Sequence, residues 1–288
     1  MNSPDHFLTV AEQWLSANHY GNIIKNTRLR GGCINTTSHL TTDSGHSFCL
    51  KLNSNAPDDF FTAEATGLEH LNQIGAFTTP KVVHVDQHFI LLEYIAAGKS
   101  KPTFWQTLGE QLAACHLQTK PRFGFVRDNY CGLTPQINTQ CKDGFEFFAQ
   151  YRLLTQTKWA REKHLVNDQQ CKNIEFIANK LDQWIPSQVP ALLHGDLWQG
   201  NVHCDRNGDP VLIDPACYWG WPEADLAMTT LFGEFDAGFY QAYQHNRPLE
   251  PGWRERFPLY NLYHLLNHLN LFGNSYLQSV EAIIRRYR

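Results

Sequence analysis

Asp196, Asn201 and Asp214 stand at the ends of apolar runs within 19 residues, in "LLHGDLWQGN" and "VLIDPACYWG". An amide carbonyl and a carboxylate offer hard oxygen, the ligand type that Mg2+ prefers. A further carboxylate can accept a hydrogen bond from a hydroxyl and then its proton. Phosphoryl transfer asks these things of a protein: orient the acceptor hydroxyl, hold the metal, position the phosphates. Gly195 permits a tight backbone beside Asp196, and Gly200 lets Asn201 come close to an ion. Taken alone, Asp, Asn and Gly are also ordinary turn residues, and "DRNGDP" at 205–210 reads as a turn only.

An Asp followed five positions later by Asn has the spacing of the protein-kinase catalytic loop, D-x-x-x-x-N. Upstream residues strengthen that reading. Lys51 lies inside the apolar run "SFCLKL", and a lysine there is costly to bury unless paired. The next predicted helix supplies Glu64, in "FFTAEATGL", as its partner. A strand Lys and a helix Glu form the ion pair that positions nucleotide phosphates in kinases. The order Lys, Glu, Asp-Asn, Asp is the kinase order. A phosphate loop is harder to read: "RLRGGCINTTSHL" is not G-x-G-x-x-G. Gly31 and Gly32, followed by Cys33, permit a tight turn, and Thr36, Thr37 and Ser38 can donate hydrogen bonds. In "LLEYI", Glu93 and Ile95 fall where backbone groups can meet an adenine edge.

The elements that must position these residues are legible in outline. Phe7, Val10, Ala11, Trp14 and Leu15 follow Pro4 at helical spacing. Residues 23–52 read as short strands, with a hairpin turn at Asp43-Ser44-Gly45. "NAPDDFFTAEATGLEHLNQIG" predicts a helix with Pro57 near its start, acidic residues in its first turn and Gly75 as its stop. "PKVVHVDQHFILLEYI" predicts a hairpin turning at Asp86-Gln87. Beyond Gly98, three long segments (103–118, 144–163 and 169–185) carry helical periodicity. Strand-like "ALLHGD", "NVHCD" and "PVLIDP" interrupt them, and helices return from Glu223. The expectation is an α+β, two-lobed, protein-kinase-like fold: an antiparallel-sheet N-lobe over residues 1–95 and a larger, mostly helical C-lobe over 96–288, with a hinge near Glu93–Gly98.

Composition bounds the function. The 288 residues carry 24 basic and 28 acidic side chains, a net charge of −4, which argues against a nucleic-acid partner. No run approaches a membrane span, and "MNSPDHFLTVAEQWL" has no basic n-region or long apolar stretch, so neither a membrane partner nor a secretory signal is expected. The eight scattered cysteines form no CxxC pair, and are read as free thiols of a cytoplasmic protein.

Other constellations are read as structural. His264 and His268 make an i, i+4 pair, but no Glu of H-E-x-x-H and no third ligand is evident, and the helix around them is rich in leucine. Asp225, in "EADLAM", is read as a buried acceptor bracing the catalytic loop. Cys33, if exposed, is a candidate redox-sensitive thiol.

The sequence resembles the fructosamine-kinase (ketosamine-3-kinase) family, a branch of the protein-kinase-like fold. The resemblance runs through "GGCIN", "FCLKLN", "FFTAEATGL", "HGDLWQGN", "IDPACYWG", "EADLAMTTLFG" and "LYNLYHLLNHLNLFG". It implies ATP-dependent phosphorylation of the sugar 3-hydroxyl of ketosamines, on small amines or glycated protein lysines, after which the adduct releases its amine. It implies Asp196 as general base, Asn201 and Asp214 as Mg2+ ligands, and Lys51 on the phosphates with Glu64 steadying it. It also implies Gly31–Cys33 as the covering loop and Glu93, Tyr94 and Ile95 at adenine. Gln199 and the Trp219-Gly220-Trp221 run depart from the family pattern, on the side where the acceptor is expected. Trp198, Tyr218 and Trp219 are candidates to stack on a sugar or its aglycone, or to pack beneath the loop. The rivals are a kinase of the same fold acting on an aminoglycoside or choline, and a nucleotide-binding regulator without activity.

Overall fold

The structure, a computed structural model, describes residues 4–29 and 34–288. In chain order the elements are α1 (Pro4–Ala17), β1 (Ile23–Arg28), β2 (Thr36–Thr42), β3 (Ser47–Leu52), α2 (Phe60–Ile74), β4 (Val82–Val85), β5 (Phe89–Glu93), α3 (Phe104–His116), β6 (Asn129–Cys131) and β7 (Thr134–Gln136). Then follow α4 (Gly144–Phe148), a π-helical stretch (Ala149–Leu154), α5 (Thr155–Glu162), α6 (Asp168–Ala178), β8 (Ala191–Leu193), β9 (Val202–Cys204), β10 (Pro210–Leu212), β11 (Tyr218–Gly220), α7 (Pro222–Met228), α8 (Ala237–Asn246), α9 (Trp253–Phe272) and α10 (Leu277–Tyr287).

The chain forms two compact units. Residues 1–101 and 203–214 make the first, and residues 102–202 and 215–288 the second. The expected division at 95/96 follows chain order, whereas contacts assign 203–214 to the first unit.

The first unit is an antiparallel five-stranded sheet in the order β1-β2-β3-β5-β4. Side chains alternate across a strand with period two. Leu40 of β2, Phe48, Leu50 and Leu52 of β3, and Phe89 and Leu91 of β5 therefore share one face. There they form a core with Phe7, Ala11 and Leu15 of α1. Lys51 is out of phase with Phe48, Leu50 and Leu52, so it emerges on the opposite face. The hairpin at Asp86-Gln87 and the Gly75 stop are present. Gly75 takes φ 68°, and its N–H donates to the Asn72 and Leu71 carbonyls. One detail differs: α2 begins at Phe60, so Asp58 and Asp59 precede it and no acidic residue lies in its first turn.

The second unit is mostly helical. Two expected helices are interrupted. The segment 144–163 contains the π-helical Ala149–Leu154, and the segment 169–185 stops as an α-helix at Ala178 before a 3-10 turn at Leu181–Gln183. Periodicity misses the first because six residues, little more than one turn, are too few to reveal a change of period. Strands β6, β7 and β11 are three residues each and too short to show a period. β8 is wholly buried and pairs antiparallel with β11, Leu193 opposite Tyr218. Among the described residues, no helix is long and apolar enough to cross a membrane.

Candidate active site

The register that turns Lys51 away from the α1 core also decides its partners. Lys51 is 6% exposed, and its Nζ lies 2.5 Å from Glu64 Oε1 of α2 and hydrogen-bonds the Asp214 carboxylate. Burial alone would lower the lysine pKa, but Asp214 and Glu64 raise it above its ordinary value, so the side chain stays cationic. Burial raises Glu64; Lys51 opposes that rise, and the Asp214 charge adds to it. Asp214 follows β10 and takes φ 56°, the left-handed region that L side chains enter at a cost. Its side chain is 43% exposed, so its carboxylate faces solvent as well as Lys51.

In the second unit, β8 leads into His194, Gly195 and Asp196. Asn201 is buried at the end of a 3-10 turn over Gln199–Asn201. Its amide nitrogen donates to the Asp196 backbone carbonyl at 2.8 Å and to Asp196 Oδ2 at 3.1 Å. The Asn201 carbonyl oxygen is thereby oriented as the atom left for a cation. An amide oxygen and a carboxylate, the groups that Asn201 and Asp214 bring, are each hard oxygen donors of the kind that suits Mg2+.

A buried carboxylate carries the loop. Asp225 of α7 accepts the His194 backbone N–H at 2.7 Å and the Gly195 backbone N–H at 2.8 Å. His116 Nε2 lies 3.3 Å from Asp225 Oδ2, and His116 Nδ1 lies 2.8 Å from the Tyr243 hydroxyl. Burial lowers the His116 pKa. The neutral tautomer that satisfies both contacts has its proton on Nε2 and accepts from Tyr243 at Nδ1. Burial would raise Asp225, but the hydrogen bond from His116, the neighbouring His194 and the Gly195 N–H together bring its pKa below the ordinary value. The loop bends this tightly because Gly195 takes φ 81°, where a Cβ would lie 2.0 Å from the Ala216 carbonyl oxygen.

The strip expected to meet adenine lies at the end of β5. The Glu93 N–H donates to the Lys81 carbonyl at 2.8 Å, and the His203 ring donates to the Ile95 carbonyl at 3.0 Å. Tyr94 stacks on His39 with ring centroids 3.5 Å apart. Gly31, Gly32 and Cys33 lie outside the described residues.

The three aromatic candidates separate. Trp198 is 36% exposed and covers Gly200. Tyr218 is 2% exposed, with the Arg152 guanidinium 4.0 Å from its ring centroid. Trp219 is 8% exposed, and its backbone exchanges hydrogen bonds with Gly124. Tyr218 and Trp219 are buried in and around the β8–β11 pair, in keeping with packing beneath the loop, the other role left open for them. The His264–His268 pair is not brought together as two ligands: the His268 Nδ1 hydrogen-bonds the His264 carbonyl within α9.

Sequence reasoning missed His116, Arg152 and His203. Nothing local marks them, because each acts on a group about 100 or more residues away or through a stretch of π-helix. Among the described residues no carboxylate forms an ion pair with Arg152. Its guanidinium donates to the Ile137 and Tyr151 carbonyls and to Asn138 Oδ1.

A small antiparallel sheet with a buried Lys–Glu pair, joined in one chain to a helical unit with a braced D-x-x-x-x-N loop, defines a phosphotransferase of the protein-kinase-like fold. Solved structures of that class share the fold at low identity. Choline kinase LicA from Streptococcus pneumoniae superimposes with a TM-score of 0.64 at 15% identity, covering 98% of this chain and 97% of that one. The chain belongs to the fructosamine kinase family, whose profile matches residues 7–288. It is 40% identical to the chloroplastic protein-ribulosamine 3-kinase of Arabidopsis thaliana, over 89% of this chain and 80% of that protein. A crystal structure from Haemophilus somnus 129PT, provisionally named a fructosamine-3-kinase, gives a TM-score of 0.87 at 28% identity, covering 96% of each chain.

Proposed function

We propose that this chain transfers the γ-phosphoryl group of ATP to the sugar 3-hydroxyl of ketosamines, on small amines or on glycated protein lysines. The observation that carries the reading is the Asp196–Asn201 pair, in which the amide fixes the carboxylate and turns its own carbonyl outward. The substrate class is supported by family membership and by the name of the Arabidopsis relative.

Asp196 accepts the hydrogen bond of the acceptor hydroxyl and takes its proton as the oxygen attacks the γ-phosphorus; the bond to the β-γ bridging oxygen breaks and ADP leaves. Lys51, steadied by Glu64, binds the phosphates. Asn201 and Asp214 would hold Mg2+, and that ion, when bound, neutralises phosphate charge. The covering-loop role stays with Gly31, Gly32 and Cys33. Adenine is met by the Glu93 carbonyl and the Ile95 N–H, since the opposite backbone groups of these residues are already bonded. Of the aromatic candidates only Trp198 keeps a face for the acceptor. The phosphorylated adduct then loses its amine, so the outcome is deglycation. We place the activity in the cytoplasm, in keeping with the free thiols at Cys49, Cys115, Cys131, Cys141, Cys171, Cys204 and Cys217.

The test is ATP-dependent phosphate transfer, with Mg2+, to a fructosamine, a ribulosamine, choline and kanamycin, with Asp196→Asn alongside. Transfer to a ketosamine that is lost in the variant supports the proposal. Transfer only to choline or kanamycin overturns the substrate class.

A further inference from the structure

We propose that Cys131, Asp196 and His264 form a binding site for a soft or borderline divalent cation of the Zn2+ type, whose occupancy withdraws Asp196 from proton transfer. The inhibitory part of this proposal rests on Asp196 being the general base; the site itself does not.

Three separate elements of the second unit bring these side chains together: the end of β6, the loop after β8, and the middle of α9. One ligand atom from each, a thiol sulfur, a carboxylate oxygen and a ring nitrogen, lies within 4.8 Å of the other two. Tetrahedral zinc, with bonds of about 2.0–2.3 Å, sets its ligands about 3.4 Å apart, so closure asks for side-chain shifts of about an ångström. Cys131 and His264 are buried while Asp196 is half-buried, which gives the cluster a closed back and an approach through Asp196.

The chemistry of the set points to zinc and away from magnesium. Thiolate and imidazole suit Zn2+, whereas Mg2+ takes oxygen ligands. His264 Nδ1 is buried and makes no hydrogen bond, an orphan that native interiors seldom tolerate. Burial brings the His264 pKa down to about 3, so the ring is neutral, the form that ligates. Burial pushes the Cys131 thiol up and Asp196 adds to this, while Arg152, Tyr263 and Asn267 act in the opposite sense. Metal binding replaces the thiol proton: the S–H bond breaks, an S–Zn bond forms and one proton leaves to solvent. The Arg152 charge favours that ionisation and also repels cations. Retention therefore depends on the thiolate bond, which a hard ion does not form.

Cobalt(II) provides the test, because a thiolate-to-cobalt charge-transfer band and intense visible bands report tetrahedral sulfur ligation independently of activity. The chelator-treated full chain should show one equivalent of these bands, displaced by Zn2+, absent in Cys131→Ser and strongly reduced in His264→Gln. No band in the wild type, or equal bands in wild type and both variants, overturns the site. If Cys131→Ser does not fold, the zinc X-ray absorption spectrum of the wild type decides, since a shell without one sulfur overturns the site equally. In the kinase assay, each protein is compared with its own zinc-free rate. Cys131→Ser should need at least about tenfold more Zn2+ for half-inhibition, the loss typical of even an outer-shell partner. Cobalt bands without any Zn2+ inhibition would keep the site and overturn the consequence drawn through Asp196.

Discussion

Asn201 is bonded to Asp196 twice through one amide nitrogen, at 2.8 Å to the backbone carbonyl and 3.1 Å to Oδ2. The residue that begins the catalytic loop is thus held by the residue that ends it. The same bonds fix which end of the Asn201 amide faces outward.

Replacing Asp196 by Asn keeps the shape of this arrangement and removes the proton acceptor. The expected result is a fall in kcat of about 10²–10⁴-fold, with ATP affinity retained. Steady-state kinetics with a ketosamine, beside equilibrium ATP binding, checks it. An unchanged kcat would show that Asp196 is not the base.

Lys51→Met leaves Glu64 buried without its cationic partner, whereas Glu64→Gln leaves Lys51 still bonded to Asp214. Lys51→Met should destabilise the protein by about 3–5 kcal/mol, and Glu64→Gln by less. The double variant should recover part of that stability, because neither buried charge remains, yet recover no activity. Urea unfolding and kinase assays on all three proteins separate the two effects.

Gly195→Ala places a side chain at φ 81° and against the Ala216 carbonyl oxygen. The loop must then shift. A loss of at least about 2 kcal/mol is expected from strain and clash together, with kcat falling more than ATP affinity. Wild-type activity in this variant would mean that the loop is not held as described.

Stability should decline as pH falls below the ordinary histidine pKa of 6.5, in part because of His264, whose folded value is about 3. Its folded pKa is depressed and its charged form is the protonated one. Between those values the unfolded chain therefore binds the proton more readily than the folded chain. His264 favours the folded state fully above pH 6.5 and loses that advantage progressively toward pH 3, worth about 5 kcal/mol over the whole window. The lowered pKa of buried His116 acts in the same direction. His264→Gln should flatten the slope of urea stability against pH between 6.5 and 3; an unchanged slope would contradict it.

Much of the sheet was legible because its strands are β-prone runs set between turn residues. Leu40, Phe48, Leu50 and Leu52 alternate with more polar neighbours, and the turns at Asp43-Ser44-Gly45 and Asp86-Gln87 stand between runs. The long helices were legible for the corresponding reason at the helical period. Strands β6, β7 and β11 are as short as β8–β10 and carry no period of their own, and only the latter were marked by the runs and turn residues around them; the π-helical stretch was missed because six residues are too few to show a changed period. Lys51 was legible as a residue in need of a partner, because a charge within an apolar run is costly in any fold.

By itself, then, the sequence determined the kinds and order of the chemical groups, Lys, Glu, Asp-Asn and Asp, and the periodic elements that carry them. Spacing and polarity are local quantities, readable without coordinates. Only the tertiary structure decided which groups meet across long separations. It set Asp225 beneath the backbone of His194 and Gly195, put His116 behind Asp225, and buried Tyr218 and Trp219. It also brought possible ligand atoms of His264, Cys131 and Asp196 within 4.8 Å of one another. Those choices depend on strand register and on which helix faces pack together, and neither is a property of any short stretch of chain.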